Sequence, residues 1–228
     1  ALAVNPHLIK KLGYDAQKDF APITQLASTP LVLLAGNKSG ARTAQELMAA
    51  IKAKPDALSY GSSGNGTSQH LTTLMLLNRI GGKAVHVPYK GSSQSLTDLA
   101  GNQIDMQFDN MATALAFARN GQARALAVTS ATRSELQPDL PTLAESGVPG
   151  FEATSWFAVY TTAKVPAPII DKLNKEFRRV FALPDVQERL KTNGLEPKLG
   201  SPEDLARFQA GETAKWTKVV KESGAKVE

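Results

Sequence analysis

The chain has 228 residues, of which 42% are hydrophobic and 21% charged, as in a globular protein of one large or two small domains. The absence of cysteine excludes disulfides, thiol catalysis and thiolate metal sites. A net charge of +5 favours an anionic partner, but the basic residues are scattered and not interleaved with aromatic ones, which favours a small anion over nucleic acid.

Apolar periodicity and turn residues predict strands that alternate with helices through the middle of the chain. The predicted strands are Ile23–Ala27, Leu31–Ala35, Leu58–Tyr60, Ala84–Pro88, Ile104–Phe108, Arg124–Thr129 and Trp156–Thr161. The predicted helices are Thr43–Lys54, one that ends near Asn78, Ser92–Ala100, Thr113–Arg119, Pro168–Phe181, Pro184–Asn193 and a last one capped by Ser201. Residues 131–155 are rich in Pro, Gly and Ser and predict a long connection with a short helix near Thr142–Ser146.

This alternation predicts an α/β fold with a mostly parallel sheet and helices on its faces. We expect two lobes. Residues 36–153 form the central α/β lobe, and residues 1–35 with 154–228 form the other. The strands Leu31–Ala35 and Trp156–Thr161 would join the lobes, and a two-strand hinge of this kind permits closure around a ligand.

The stretch YGSSGNGTSQH, residues 60–70, stands between a predicted strand and an apolar helix. A helix start holds anions because it offers free backbone N–H groups and a partial positive charge. The glycines allow close approach of the backbone, and the hydroxyl and amide side chains add donors of short reach. The stretch therefore predicts a site for a carboxylate or phosphate.

Other functions of this loop are less well supported. A phosphate-binding P-loop needs a lysine, which is absent, and a dinucleotide motif needs a third glycine where Gln69 stands. The nucleophile motif G-x-S-x-G fits Gly61 and Ser63 but has Asn65 in the last place. A tight turn with a helix cap remains an alternative of about equal weight for this loop considered alone.

Two further loops follow predicted strands at the same edge, where α/β sheets bind ligands. Tyr89–Ser93 offers a cation, Lys90, whose alternative is a solvated surface charge. Asp109 and Asn110 follow an apolar strand and would orient the ligand's second group or a water. A helix N-cap is an equally good interpretation of this pair.

The three histidines, His7, His70 and His86, lack the spacing of a metal site, and packing roles are the more common ones for them. A catalytic triad of Ser63, His70 and Asp109 can be imagined, but nothing in the spacing requires it.

Several segments together resemble one family: VNPHLIKKLGYDAQKDFAPI, LSYGSSGNGTSQHL, VHVPYKGSSQSLTDLAGNQIDMQFDN, GQARALAVTS and LPTLAESGVPGFEATSWFAVYTTAKVP. They resemble the Bug family, the periplasmic solute receptors of tripartite tricarboxylate transporters, over nearly the whole chain. The resemblance implies a two-lobed periplasmic-binding-protein fold of the Venus-flytrap, type II-like kind. It also implies a receptor without enzymatic activity, cofactor or metal, whose ligands are di- and tricarboxylates, acidic amino acids or aromatic acids.

Members of that family begin with a strand and a PFPPGG-like loop, which have no counterpart before Ala1. The resemblance thus implies a first lobe that lacks its opening segment. Its apolar surfaces would be exposed, rearranged or covered by a partner chain, so self-association is one expectation. No apolar run reaches the roughly 20 residues that span a bilayer, and Ala1–Tyr14 lacks the order of a secretory signal. From the residues alone, the chain is either cytoplasmic or has lost a leader. With the resemblance, we expect a periplasmic protein whose leader has been removed.

The combined prediction is an extracytoplasmic receptor that binds a small carboxylate and delivers it to a membrane permease. The predicted ligand-binding residues are Ser62, Ser63, Gly64, Asn65, Gly66, Thr67, Ser68, Asp109 and Asn110. Thr67, Ser68 and Asn65 are the first choices as donors. Two alternatives remain open, a hydrolase or transferase that uses Ser63 and His70, and an interaction domain without a transport role.

Overall fold

The computed structural model describes residues 12–16 and 18–223. The strands are β1 (Phe20–Ala35), β2 (Ser59–Ser62), β3 (Val85–Pro88), β4 (Met106–Asn110), β5 (Arg124–Val128), β6 (Thr154–Thr162) and β7 (Glu196–Pro197). The helices are α1 (Ala44–Ala53), α2 (Ser68–Ile80), α3 (Ser92–Ala100), α4 (Met111–Arg119), α5 (Ala167–Phe181), α6 (Pro184–Thr192) and α7 (Pro202–Ser223). A short 3-10 turn covers Asn37–Ser39.

The described residues divide into two compact units. One unit is Pro30–Ser155, and the other contains the described residues up to Thr29 and from Trp156 onward. The predicted lobe boundaries, after residues 35 and 153, differ from these breaks, by six residues at the first and by two at the second. The first difference arises because the end of β1, Leu31–Ala35, pairs with β4 and β5 and is therefore part of the central sheet.

The sheet of the central unit has the strand order β3-β2-β4-β1-β5. β2 pairs in parallel with β3 and with β4, whereas β1 is antiparallel to both β4 and β5. The sheet is therefore mixed: β2, β3, β4 and β5 run in one direction, as the alternation of elements predicted, and β1 runs against them. The reason is that β1 enters the sheet from the chain's first segment and not through a helical crossover, so nothing forces it to run parallel.

Helices cover this sheet because their apolar sides match its buried strands. One cluster of buried side chains joins β1 to α3 and α4: Val32, Leu34, Leu96, Leu99, Ile104, Met111, Ala114 and Leu115. Complete burial of each such aliphatic side chain contributes roughly 1.5–3 kcal/mol. The packing fixes the start of each helix relative to the end of the strand before it.

Two buried polar side chains make hydrogen bonds within the other unit. Asn174 of α5 donates to the carbonyl oxygens of Ile23 and Gly200, each over 2.8 Å. The carboxylate of Glu212 in α7 accepts from the indole nitrogens of Trp156 (3.1 Å) and Trp216 (2.9 Å). The apolar side of α5, predicted from its periodicity, is mostly half-buried in the described residues.

Several element boundaries differ from the sequence prediction, those of β1, β2 and α4 among them. β1 continues through Pro30, because Leu31 donates its N–H to the hydroxyl of Thr129 (2.8 Å) and proline removes only one donor from a strand. β2 extends to Ser62, because Gly61 and Ser62 pair with β3. α4 begins at Met111, directly after β4 and two residues earlier than expected.

Candidate functional site

Three helices of the central unit begin at one edge of its sheet. β2, β3 and β4 share one direction, so their carboxyl ends lie at the same edge: Ser62, Pro88 and Asn110. Each strand is followed within six residues by a helix, and the N-cap residues of these helices make no side-chain cap: Thr67, Gly91 and Asn110. This edge therefore presents free backbone N–H groups and the positive ends of three helix dipoles.

The loop between β2 and α2 is held in shape by its own hydroxyl groups. The buried Ser62 hydroxyl bonds both the N–H and the C=O of Gly64, each over 3.1 Å. Thr67 donates its hydroxyl to the same carbonyl oxygen over 2.8 Å. Gly64 (φ 121°) and Gly66 (φ 73°) adopt backbone conformations that side chains disfavour. The backbone conformation of the loop thus explains why glycine stands at these two positions.

The contacts divide the predicted donors into used and available groups. The Thr67 hydroxyl hydrogen already goes to Gly64. Ser68, the first residue of α2, accepts from the hydroxyl of Ser155 over 3.0 Å and keeps its own hydrogen to donate. Asn65 is exposed at the tip of the loop. Ser68, Asn65 and the backbone N–H groups of the helix start are therefore free to meet a ligand.

Asp109 is buried beneath this edge and is only 1% exposed. Its carboxylate accepts from four donors: the Ser92 hydroxyl, Gln107 Nε2 (2.7 Å), Gln69 Nε2 (3.3 Å) and the N–H of Asn110 (2.7 Å). Burial raises the pKa of the Asp109 carboxyl, and the hydrogen bonds from Ser92, Asn110, Gln107 and Gln69 act in the opposite direction. The carboxylate faces protein donors and not an open site.

Asn110 has a different environment, although it is the next residue. Its side-chain Oδ1 is buried and has no hydrogen-bond partner among the described residues. Asn110 lies on the same sheet face as Tyr60, because Tyr60 pairs with Met106 and alternate residues of a strand share a face. A buried acceptor without a partner requires a donor from a ligand or an ordered water.

His70 and His86 lie side by side behind the loop. Their rings stack with centroids 4.0 Å apart, and Tyr60 stacks on His86 at 4.8 Å. His70 Nδ1 accepts from the N–H of Gly66 over 3.0 Å, and His86 Nε2 shares a 2.7 Å hydrogen bond with Ser62. Burial lowers the pKa of both to about 4, with a further contribution at His70 from the neighbouring His86. His7 lies outside the described residues.

The imagined triad is absent from the described part of the chain. The Ser63 hydroxyl donates to Gln69 Oε1, His70 is engaged with Gly66, and Asp109 is bonded to the donors given above. No hydrogen bond joins Ser63 to His70 or His70 to Asp109 within residues 12–16 and 18–223. The histidine packing expected from the sequence is what the contacts show.

Three residues that hold the site together were not predicted from the sequence. Gln69 served only as the residue that rules out a dinucleotide motif, yet its side chain bonds Ser63, Ser92 and Asp109. Gln107 occupies a polar position in a strand that alternates apolar and polar residues, and this alternation was the only sequence signal for its buried amide. Ser155, 87 residues beyond Ser68, gave no signal in the sequence because only folding brings the two together.

Two other features of the described residues lie apart from this edge. A pocket of about 590 Å³ surrounds the start of β5, at the opposite edge of the sheet, and contains Arg119, Arg124 and Asp139. It includes none of the predicted ligand residues. Within residues 12–16 and 18–223, no group of three His, Asp or Glu side chains is placed to hold a metal, and no helix is long and apolar enough to cross a membrane.

Comparison with known proteins identifies relatives over nearly the full chain. Residues 1–225 match the model of the tripartite tricarboxylate transporter family receptor, TctC. A protein encoded between tcbD and tcbE in Pseudomonas sp. is 36% identical over 97% of this chain and 66% of its own length. Protein BugT of Bordetella pertussis is 33% identical over 99% of this chain and 69% of its own length. The chain thus spans about two thirds of the length of these relatives.

Solved structures give the same result for the fold. R. palustris Rpa4515 with adipate has a TM-score of 0.91 at 33% identity, covering 99% of this chain and 76% of its own. The periplasmic binding protein BugD has a TM-score of 0.88 at 31% identity, covering 100% of this chain and 77% of its own. MatC of Rhodopseudomonas palustris with malate has a TM-score of 0.84 at 28% identity, covering 96% and 74%. The predicted α/β periplasmic-binding-protein fold is confirmed.

Proposed function

Because this chain belongs to the tripartite tricarboxylate transporter receptor family, we propose that it binds a small organic carboxylate and delivers it to the membrane components of such a transporter. Members of the family are periplasmic solute receptors and not enzymes. The observation that carries the proposal for this chain is the convergence of three uncapped helix starts at one sheet edge. Such an arrangement holds an anion without a cationic side chain.

The start of α2 is the proposed seat of the carboxylate. Ser68 and the first backbone N–H groups of α2 would donate to its oxygens, with Asn65 at the rim of the loop. Gly64 and Gly66 allow close approach of the ligand because they carry no side chain. Ser62, Ser63 and Thr67 supply hydroxyls that shape the loop, so their proposed contribution to binding is indirect.

Dicarboxylates are the first solutes to test, since two similar structures contain adipate and malate. Asn110 adds a distinction within this class, because its unpartnered Oδ1 accepts but does not donate. A solute with a hydroxyl or ammonium group near the carboxylate would satisfy it. We therefore propose that malate binds more tightly than succinate, which is the same diacid without the hydroxyl.

Calorimetry and native mass spectrometry of the purified chain with malate, succinate, adipate, glutamate and benzoate test the proposal. We expect at least one acid to bind, and a Thr67→Ala, Ser68→Ala double variant to weaken binding at least tenfold. Thr43→Ala, which alters a helix cap away from this edge, is the matched control and should bind normally. Failure of every acid to bind would refute the receptor function of this chain and favour the alternative of an interaction domain.

Two finer expectations are tested beside binding. A dimer in the mass spectra would support self-association through apolar surfaces of the unit that contains the residues from Trp156 onward. Hydrolysis of ester substrates would support the enzymatic alternative, but Ser63 has no histidine partner in the described residues.

A further inference from the structure

The carboxylate of Asp109 contacts the first turn, or the residue before it, of all three converging helices. Gln69 is the second residue of α2, Ser92 is the first residue of α3, and Asn110 is the N-cap of α4. Each of them donates to Asp109, and Gln107 of β4 supplies the fourth donor. One buried side chain therefore ties together the three elements that form the candidate site.

Gln69 extends this connection to the loop. Its Nε2 donates to Asp109 (3.3 Å) and Ser92 (3.3 Å), and its Oε1 accepts from the N–H of Ser63 (2.9 Å) and from the Ser63 hydroxyl. The hydrogen-bond partners therefore determine which end of the Gln69 amide is the oxygen and which is the nitrogen. The backbone N–H of Ser63 can only donate, and an ionised Asp109 can only accept, so the amide has one orientation that satisfies both.

One oxygen of the carboxylate is fully occupied by protein donors. Oδ2 accepts from Ser92, Gln107 and Gln69, and Oδ1 accepts from the N–H of Asn110. Its side chain is buried, and none of the ion pairs among the described residues includes it. A negative charge in direct contact with the solute would also oppose a carboxylate, whereas one held beneath the helix starts is balanced by their dipoles.

We propose that Asp109 is a positioning residue that acts through Gln69, and that it does not contact the solute. The carboxylate orients the Gln69 amide, the amide holds Ser63, and the loop Ser62–Ser68 is thereby kept in its binding conformation. The direct ligand role expected for Asp109 from the sequence is then replaced by a supporting one. Its importance for solute binding rests on the proposed function, but the hydrogen-bond connection itself does not.

A reciprocal exchange of the two polar groups tests the connection. Asp109→Asn introduces an amide NH₂ that faces donors, and Gln69→Glu places two carboxylates against each other. The double variant Asp109→Asn, Gln69→Glu restores donor against acceptor between these two positions, because the new amide can donate to the new carboxylate, which still accepts from Ser63. Gln107 Nε2 still faces the new amide NH₂, so the rescue is partial. A residue with a merely space-filling role would show no such rescue.

The readout is amide hydrogen exchange of the unliganded chain over residues 61–71, followed by calorimetry with malate and adipate. We expect each single variant to exchange at least tenfold faster in this segment, and the double variant to exchange more slowly than either single variant without a full return to the wild-type rate. The α1 segment, residues 44–53, should be unaffected and serves as the internal control. Unchanged exchange in Asp109→Asn, or a double variant no better than the single ones, would overturn the proposal.

Two further measurements keep the outcomes separate. If Asp109→Asn does not fold, Gln69→Met removes the connection while Asp109 keeps its carboxyl group, and faster exchange at Ser63 is then expected. Unchanged exchange at Ser63 in this variant would contradict the proposal. If the exchange pattern is as expected but the wild type binds neither malate nor adipate, the positioning role stands and the proposed function fails for these two acids.

Discussion

The imidazole rings of His70 and His86 stack with their centroids 4.0 Å apart and their planes inclined by 7°. Each ring also holds the loop at the start of α2, His70 through the N–H of Gly66 and His86 through the hydroxyl of Ser62. A backbone N–H only donates, so His70 Nδ1 must be unprotonated in this arrangement. Protonation of either ring places a charge against its neighbour, and at Nδ1 it removes an acceptor.

We expect the stability of the central unit to decrease as the pH is lowered from about 6.5 to about 4. Burial lowers the pKa of both histidines to about 4, so below 6.5 the unfolded chain takes up protons that the folded chain does not. The free energy of unfolding therefore decreases as the pH falls through this window and is unaffected by these groups above it. For His70 the difference between a pKa of 6.5 in the unfolded chain and about 4 in the folded chain corresponds to about 3 kcal/mol of unfolding free energy at most.

Urea unfolding at pH 7, 6, 5 and 4 measures this dependence, and His86→Phe is the informative variant. Phenylalanine keeps a ring in the stack but cannot take up a proton, so the slope of stability against pH should become shallower. The comparison with the wild type cancels the carboxyl groups that also titrate near pH 4. Equal slopes in the two proteins would contradict the assignment.

The sequence was sufficient for the elements whose signals are local. The bounds of α3 were predicted to the residue, because Gly91 and Gly101 flank an apolar period between them. The loop after β2 was identified as a helix start from its glycines and hydroxyls. The antiparallel entry of β1 was not predicted, because strand direction depends on pairing with residues more than 70 positions away.

The candidate site was predicted as a location but not as a set of contacts. Asp109 carried a chemical signal, yet whether it faces a ligand or the protein depends on Gln69 and Ser92, which are distant in sequence. Asn110, its neighbour, has the buried acceptor without a partner instead. A one-residue difference in register decides which side chain is available, and local sequence patterns do not fix it.

Gly61→Ala should destabilise the central unit by about 1–3 kcal/mol. A Cβ at this position would meet the hydroxyl of Ser95, Ile104 Cδ1 (2.5 Å) and Gln107 Oε1 (3.1 Å), all packed between β2 and α3. Gly211→Ala is the opposite case. Its Cβ meets nothing within 4 Å in helix α7, so we expect a gain of about 0.5–1 kcal/mol from helix propensity. Urea midpoints that move in the same direction for both variants would show that the space around each Cβ does not decide the outcome.

Thr43→Ala should cost about 1 kcal/mol without affecting solute binding. The Thr43 hydroxyl accepts from the N–H of Glu46 over 3.2 Å, and the Glu46 carboxylate accepts from the N–H of Arg42 over 2.6 Å, which is a capping box. Thr43→Ser keeps the hydroxyl and should retain most of the stability. A thermal unfolding temperature equal to that of the wild type in Thr43→Ala would mean that solvent replaces the cap.

Ser155→Ala should weaken the binding of malate or adipate about three- to tenfold, as is typical for the loss of one neutral hydrogen bond. The Ser155 hydroxyl donates to Ser68 over 3.0 Å, which leaves the Ser68 hydrogen directed away from Ser155 and available to the carboxylate. Without Ser155, the Ser68 hydroxyl is free to rotate and its orientation must be fixed on binding. Ser155→Thr keeps the donor and should bind nearly as the wild type does, and Thr43→Ala, which removes a hydroxyl away from this edge, is the control. Calorimetry on the three variants decides the point, since equal affinities for Ser155→Ala and Thr43→Ala would remove Ser155 from the site.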